Sequence, residues 1–193
     1  MAVEYKYSKT LPVSIPGRKI YCCLCSETGV WAGTGLDKFA TRFPDAKERY
    51  LENAKEHRLR LGHVLYCPGK DENSIAADMI CRMKDADSFG NDIHFGYLYG
   101  CFLQAALKGQ LANATVIVAT PGVDLQEWQW RKVMPILEHA IEVTDSSVRA
   151  VVAAPFDLTA VDDDEHHTTK HKAKRSKDAS KLSKDDGEQL SLF

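Results

Sequence analysis

Five short runs of mostly apolar residues, separated by longer polar segments, predict the strands of a buried sheet. The runs are rich in β-branched, aromatic and cysteine residues, which is typical of strands covered on both faces. They lie at 18–25, 63–67, 78–83, 115–120 and 148–154.

The segments between these runs carry apolar residues at helical spacing. Pro44 suits the first turn of a helix, which we expect over 44–61. Asn91 is a candidate cap for a second helix, which Gly109 would end, and Asp124 is a candidate cap for a third. Strands that alternate with helices predict an α/β domain in which helices cover both faces of the sheet.

The composition supports a folded, water-soluble domain. Of 193 residues, 44% are apolar and 27% are charged, which is ordinary for a globular protein. No apolar run reaches the about 18–20 residues that span a bilayer, and the first ten residues lack the apolar core of a secretory signal. We therefore expect a cytoplasmic protein without a membrane partner. The net charge of −2 does not indicate a nucleic-acid partner for the chain as a whole.

Six cysteines are present, three of them in the first predicted strand as Cys22, Cys23 and Cys25. The sequence has one CxxC spacing, from Cys22 to Cys25, and no second such pair to complete a four-cysteine zinc site. Adjacent Cys22 and Cys23 point to opposite faces of a strand, so they do not easily share one ion. We expect buried, reduced core thiols and no metal or cofactor, with a metal site as the alternative.

The composition changes sharply after Pro155, and we expect the folded domain to span 1–159. Residues 160–188 are almost entirely charged or polar and cannot bury enough surface to offset the entropy of ordering, so this segment is predicted to be a disordered linker. It contains the basic run KHKAKR, for which weak contact with nucleic acid is an alternative to simple solvation.

The chain ends in an unexpectedly apolar peptide, 189–193. Gln189, Leu190, Leu192 and Phe193 follow the order of the bacterial sliding-clamp-binding motif, which this end resembles. The resemblance implies that the linker tethers a peptide that docks on the clamp, and hence that the protein acts in a bacterium or a bacteriophage. The alternative is a hydrophobic end without a partner.

Two glycine-containing loops connect predicted strands to predicted helices, where α/β sheets commonly bind ligands. Glycines let backbone amides face a phosphate, and a helix beginning near Leu36 directs its positive end to the first loop. An ordinary turn is the alternative for each loop. The candidate ligand-binding residues are Ser26, Gly33, Thr34, Gly35, Pro121, Gly122 and Val123.

The order of these motifs resembles a macro domain, the ADP-ribose-binding fold. The nearest likeness is to the branch that contains the terminal ADP-ribose protein glycohydrolase and the antitoxin that removes ADP-ribose from DNA. The resemblance covers about residues 18–154 and implies a mixed sheet in a three-layer fold; a Rossmann-like fold of another family is the alternative. It is carried by Gly33-Thr34-Gly35, Phe43-Pro44, Tyr50, Leu59-Arg60-Leu61-Gly62, Pro121-Gly122, Trp128 and Trp130.

The resemblance leaves three functions open. The first is binding of ADP-ribose or a related adenine nucleotide. The second is ADP-ribosyl glycohydrolysis, in which Lys84 corresponds to the branch's catalytic lysine and Glu27 or Asp124 moves protons. The third is a degenerate interaction protein that acts through its tail. Departures from the family pattern favour the first and third, because Asp124 replaces a loop glycine and Ser26-Glu27 replaces the asparagine of many family hydrolases.

Overall fold

The computed structural model describes residues 3–83, 93–144 and 147–159. Its six strands are β1 (Val3–Tyr7), β2 (Arg18–Ser26), β3 (Val64–Pro68), β4 (Ser74–Arg82), β5 (Ala114–Ala119) and β6 (Ala150–Ala154). Its four helices are α1 (Thr34–Arg42), α2 (Pro44–Lys55), α3 (Phe95–Ala112) and α4 (Glu127–Thr144).

The strands form one mixed sheet in the order β1-β6-β5-β2-β4-β3. Every neighbouring pair is parallel except β3 with β4, which is antiparallel. The carboxyl ends of β2 and β5 therefore lie side by side, and the loops that leave them are neighbours. This mixed sheet between helices confirms the predicted fold class.

Helices cover the sheet on both faces, because alternate side chains of each strand point to opposite sides. On one face, Tyr21 and Cys23 of β2 pack with Phe39 of α1 and Tyr50 of α2. On the other, Cys22 and its same-face neighbours pack with apolar residues of α3 and α4. The central strands are consequently mostly apolar, as the continuous runs predicted, with Asp78 of β4 and Thr115 of β5 among the buried polar exceptions.

Two helix boundaries differ from the predicted ones for local reasons. Helix α2, predicted over 44–61, ends at Lys55, because His57 adopts a left-handed conformation with φ 53°. The third helix runs from Phe95 to Ala112, capped by His94, so neither Asn91 nor Gly109 bounds it. A Cβ on Gly109 would lie 3.0 Å from a Val116 methyl, so this glycine serves close packing of the helix on β5.

Strand β1 is absent from the sequence-based prediction. It is a five-residue edge strand, pairing only with β6, and its residues are half-buried or exposed. Within the described ranges, no helix combines the length and apolar character needed to cross a bilayer.

Candidate functional site

The first loop leaves β2 at Ser26 and is fixed from below by α2. The Tyr50 hydroxyl donates a 2.5 Å hydrogen bond to the Ser26 carbonyl. The Ser26 hydroxyl accepts from the Thr28 amide at 3.2 Å and lies 2.9 Å from the Thr28 hydroxyl. The Trp31 ring meets the Tyr50 ring edge-on, with 5.4 Å between centroids. The Ser26 side chain thus holds the turn, which is a role in addition to the predicted ligand contact.

The first loop ends at the amino terminus of α1, which has no side-chain cap. Gly33 occupies the N-cap position with φ 108°, a conformation that disfavours residues with a side chain. Since the first amides of a helix have no intrahelical partner, the backbone of Thr34 and Gly35 presents N–H donors at the positive end of α1. An anion is the ligand that such a terminus attracts.

The second loop leaves β5 and turns at once through a cis peptide between Thr120 and Pro121. Gly122 lies directly over β2: its carbonyl accepts from the Leu24 amide at 3.1 Å. A Cβ at Gly122 would lie 2.6 Å from the Cys22 carbonyl oxygen, so only glycine fits this position without a shift. The Val123 side chain is fully buried and anchors the loop, and the predicted ligand contact of this residue stays a prediction.

The two glycine loops touch each other at Gly35. A Cβ on Gly35 would lie 2.6 Å from the Pro121 carbonyl oxygen and 2.8 Å from the Asp124 Cβ. The geometry therefore brings Gly35 of the first loop against Pro121 and Asp124 of the second. The Asp124 carboxylate lies 3.0 Å from the same Cβ position, beside the first turn of α1.

The predicted catalytic residues divide into two places. Asp124 is exposed at the junction of the loops. Glu27 follows β2, and its amide donates to the Arg82 carbonyl at 3.0 Å, which places it at the carboxyl end of β4. Lys84 lies outside the described residues, as do the linker and the terminal peptide 189–193.

The start of α4 next to the second loop differs from the predicted cap. Asp124 does not cap this helix, which begins at Glu127, and the Gln126 amide instead donates to the Gln129 side chain at 2.9 Å. Of the two tryptophans in its first turn, Trp130 is fully buried and Trp128 is 43% exposed. The two rings, two positions apart on one helix, therefore face different environments. The Lys132 ammonium lies 4.8 Å from the Trp128 ring centroid.

A buried polar cluster lies under the first loop, on the face of the sheet covered by α1 and α2. Cys23 and Cys25 of β2 share this face, and Asp78 of β4 pairs in register with Cys23. The Cys23 thiol donates to the Asp78 carboxylate at 3.0 Å. Burial raises the pKa of Asp78 to about 7 and raises the pKa of both thiols. The sequence-based prediction weighed the adjacent pair Cys22 and Cys23 and missed this cluster. The signal that could have found it is the i, i+2 spacing of Cys23 and Cys25, which places both side chains on one face of a strand.

Two cavities lie away from the glycine loops. One, of about 380 Å³, is at the amino ends of β2 and β5 and has Arg18 and Arg149 in its wall. The other, of about 350 Å³, lies beside β1 and is lined by Tyr5, Tyr7 and Phe156 among others. Neither was predicted from the sequence.

Comparison with solved structures identifies the architecture. A macrodomain protein from Streptomyces coelicolor superposes with a TM-score of 0.65 at 16% identity, over 78% of this chain and 97% of that one. The macrodomain of Thermus aquaticus DarG gives 0.61 at 13% identity, over 78% and 97%. The chain has the macrodomain fold.

Another similar structure was solved with a bound ligand. The Thermosipho africanus DarTG protein in complex with ADP-ribose superposes with a TM-score of 0.54 at 12% identity, over 71% of this chain and 38% of that one. A protein of unknown function from Bacteroides thetaiotaomicron gives 0.66 at 18% identity, over 80% and 98%. No protein-family model matches the sequence, and comparison with curated proteins gives no match.

Proposed function

We propose that this macrodomain binds ADP-ribose, or a closely related adenine nucleotide, at the two glycine loops. The observation that carries the proposal is the contact between the two loops at Gly35, beside the uncapped amino terminus of α1. The second loop requires glycine at position 122, where a Cβ would collide with β2. The likeness to a DarTG structure in complex with ADP-ribose supports the choice of ligand.

In this proposal the two loops contact the ligand from opposite sides. The amides of Gly33, Thr34 and Gly35 hold the diphosphate at the positive end of α1. Pro121 and Gly122 form the opposite wall, and the Ser26 turn supports the approach from β2. Asp124 places a negative charge near the diphosphate, and its repulsion lowers the affinity.

A thermal-shift panel with ADP-ribose, NAD and ADP tests the proposal. A ligand at 100 times its Kd stabilises the folded state by about 2.7 kcal/mol, which is readily measured as a rise in Tm. The substitution Gly35→Glu fills and charges the junction and should remove the shift. A panel in which no nucleotide shifts the wild-type Tm at millimolar concentration would contradict the proposal and favour an interaction protein.

ADP-ribosyl glycohydrolysis is the second candidate, favoured by the Asp124 carboxylate beside the loop junction. In this mechanism the Lys84 amine attacks the anomeric carbon of the distal ribose, and the bond to the modified residue breaks as Glu27 or Asp124 protonates the leaving group. Water then hydrolyses the lysine adduct and releases ADP-ribose. We expect slow turnover or none, because the loop departs from the hydrolase pattern. Release of ADP-ribose from modified protein or DNA at several turnovers a minute, lost in Lys84→Ala, would establish the enzyme instead.

We further propose that the terminal peptide tethers the domain to a bacterial sliding clamp in the cytoplasm. The support is the sequence of residues 189–193 alone, with Leu190, Leu192 and Phe193 as anchors and Gln189 as the polar contact. Clamp binding equal in the full chain and in a variant ending at Ala160 would refute this. If the variant ending at Ala160 also loses affinity for nucleic acid, the KHKAKR run is assigned a nucleic-acid contact.

A further inference from the structure

The buried cluster under the first loop brings three metal-binding groups together. Cys23 and Cys25 project from the same face of β2, and Asp78 projects beside Cys23 from β4. All three side chains have essentially no solvent exposure. Their nearest donor atoms lie within 4.8 Å of one another, the only such group of three among the described residues.

The distances within the cluster resemble the edges of a coordination tetrahedron. With zinc–sulfur bonds of about 2.3 Å, two thiolates on one tetrahedral ion lie about 3.8 Å apart. The Cys23 and Cys25 sulfurs are 3.6 Å apart, and the Cys23 sulfur is 3.0 Å from an Asp78 oxygen. A zinc ion therefore requires the carboxylate to move from the sulfur by roughly half an ångström, within the range of a side-chain rotation.

One donor of the cluster has no partner in the described structure. The second carboxylate oxygen of Asp78 is buried and accepts no hydrogen bond. A buried polar atom without a partner costs about 1–3 kcal/mol, so such atoms need a physical reason. A cation bound by the carboxylate supplies one, through this oxygen as well as through the oxygen that faces Cys23.

Burial raises the pKa of the Asp78 carboxyl and of both thiols, and two nearby guanidiniums partly oppose this at Asp78 and at Cys25. Arg49 of α2 favours the ionised form of Asp78, and Arg82 of β4 favours the thiolate of Cys25. Two thiolates, one carboxylate and one Zn²⁺ carry a net charge of −1, which these guanidiniums partly balance. Without a metal ion, the raised pKa values keep the two thiols protonated in the apolar layer.

We propose that Cys23, Cys25 and Asp78 form a zinc site that braces the end of β2 beneath the first glycine loop. Both sulfur and carboxylate oxygen are ordinary zinc ligands, and a small ligand such as water takes the fourth position. Binding releases the two thiol protons and any proton on the carboxyl group, and it involves no oxidation or reduction. The ion enters during folding, because the folded layers bury all three ligands.

Cobalt substitution on the untagged full chain tests the site. The chain is unfolded, treated with chelator and reductant, and refolded with excess Co²⁺. We expect one equivalent of Co²⁺ with a thiolate-to-cobalt charge-transfer band, displaced by one equivalent of Zn²⁺. The band requires sulfur ligands, so binding to the tail histidines His166, His167 and His171 does not produce it.

Cysteine variants give a matched comparison on one strand. Cys22 is as fully buried as Cys23 but faces the opposite layer. Cys23→Ser and Cys25→Ser should lose the band, whereas Cys22→Ser should keep it even where its stability falls. Elemental analysis of wild-type protein purified without chelator should find about one zinc per chain.

Two results would overturn the proposal, one measured on the refolded wild-type chain and one on the refolded cysteine variants. The first is a refolded wild-type chain without a cobalt–thiolate band, which would leave the cluster as hydrogen-bonded protonated groups. The second is a band that survives Cys23→Ser but disappears in Cys22→Ser. Either outcome is independent of nucleotide binding, so this site and the proposed function are tested separately.

Discussion

Replacing Gly35 by alanine tests the contact between the two loops. The added Cβ would lie 2.6 Å from the Pro121 carbonyl oxygen and 2.8 Å from the Asp124 Cβ. Ordinary contacts between heavy atoms are about 3.5 Å, so the second loop must retreat by roughly 0.7–0.9 Å. Overpacking of this size costs about 1–3 kcal/mol of folding free energy. The same retreat moves the second wall away from the diphosphate, and the loss of one hydrogen bond to a charged group weakens binding about 10- to 100-fold.

The assay combines calorimetric titration with ADP-ribose and thermal unfolding of the free protein. Gly100→Ala is the matched control, since its Cβ meets nothing within 4 Å in the interior of α3. That substitution should leave affinity unchanged and stabilise the helix by about 0.5–1 kcal/mol. Each kcal/mol shifts the Tm by about 2–4 °C in a domain of this size. If Gly35→Ala binds and unfolds like the wild type, the argument from loop contact is wrong.

Three further substitutions extend the test. Asp124→Asn removes the charge beside α1 and should tighten ADP-ribose binding several-fold, since a unit charge at about 4 Å in water contributes about 1 kcal/mol; weaker binding in a titration, or lost hydrolysis, would assign Asp124 a direct role. Tyr50→Phe leaves the half-buried Ser26 carbonyl without its donor and should lower the free energy of unfolding, measured in urea, by about 1–2 kcal/mol; an unchanged value would contradict the support role. Leu192→Ala with Phe193→Ala should abolish micromolar clamp binding in surface plasmon resonance without altering the Tm, and retained binding would reject the tether.

The fold was predictable because its central strands are continuous apolar runs. Burial on both faces leaves Thr115 as the one polar residue of β5 and none in β6, so the sequence pattern and the structure coincide. Strand β1 was missed because its polar residues and short length match an exposed edge, and its partner β6 lies at the other end of the chain. The start of β4 was missed since Ser74, Ala76 and Ala77 are not typical strand residues.

The candidate site was predictable in its parts but not in its contacts. Glycine spacing indicated both loops, yet which glycine lies against which carbonyl depends on the sheet order that sets β5 beside β2. The pairing of Cys23 with Asp78 has the same origin, because 55 positions separate them and only strand register joins them. Asp124 was predicted both as a helix cap and as a proton-transfer group, and the geometry removes the first role.

Calorimetric titration of the wild-type chain with ADP-ribose tests the central claim most directly. The account predicts saturable binding of one ADP-ribose per chain, abolished by Gly35→Glu and retained in Gly100→Ala. Absence of heat up to millimolar ADP-ribose, or binding that Gly35→Glu leaves intact, would contradict the assignment of the nucleotide site to the two glycine loops.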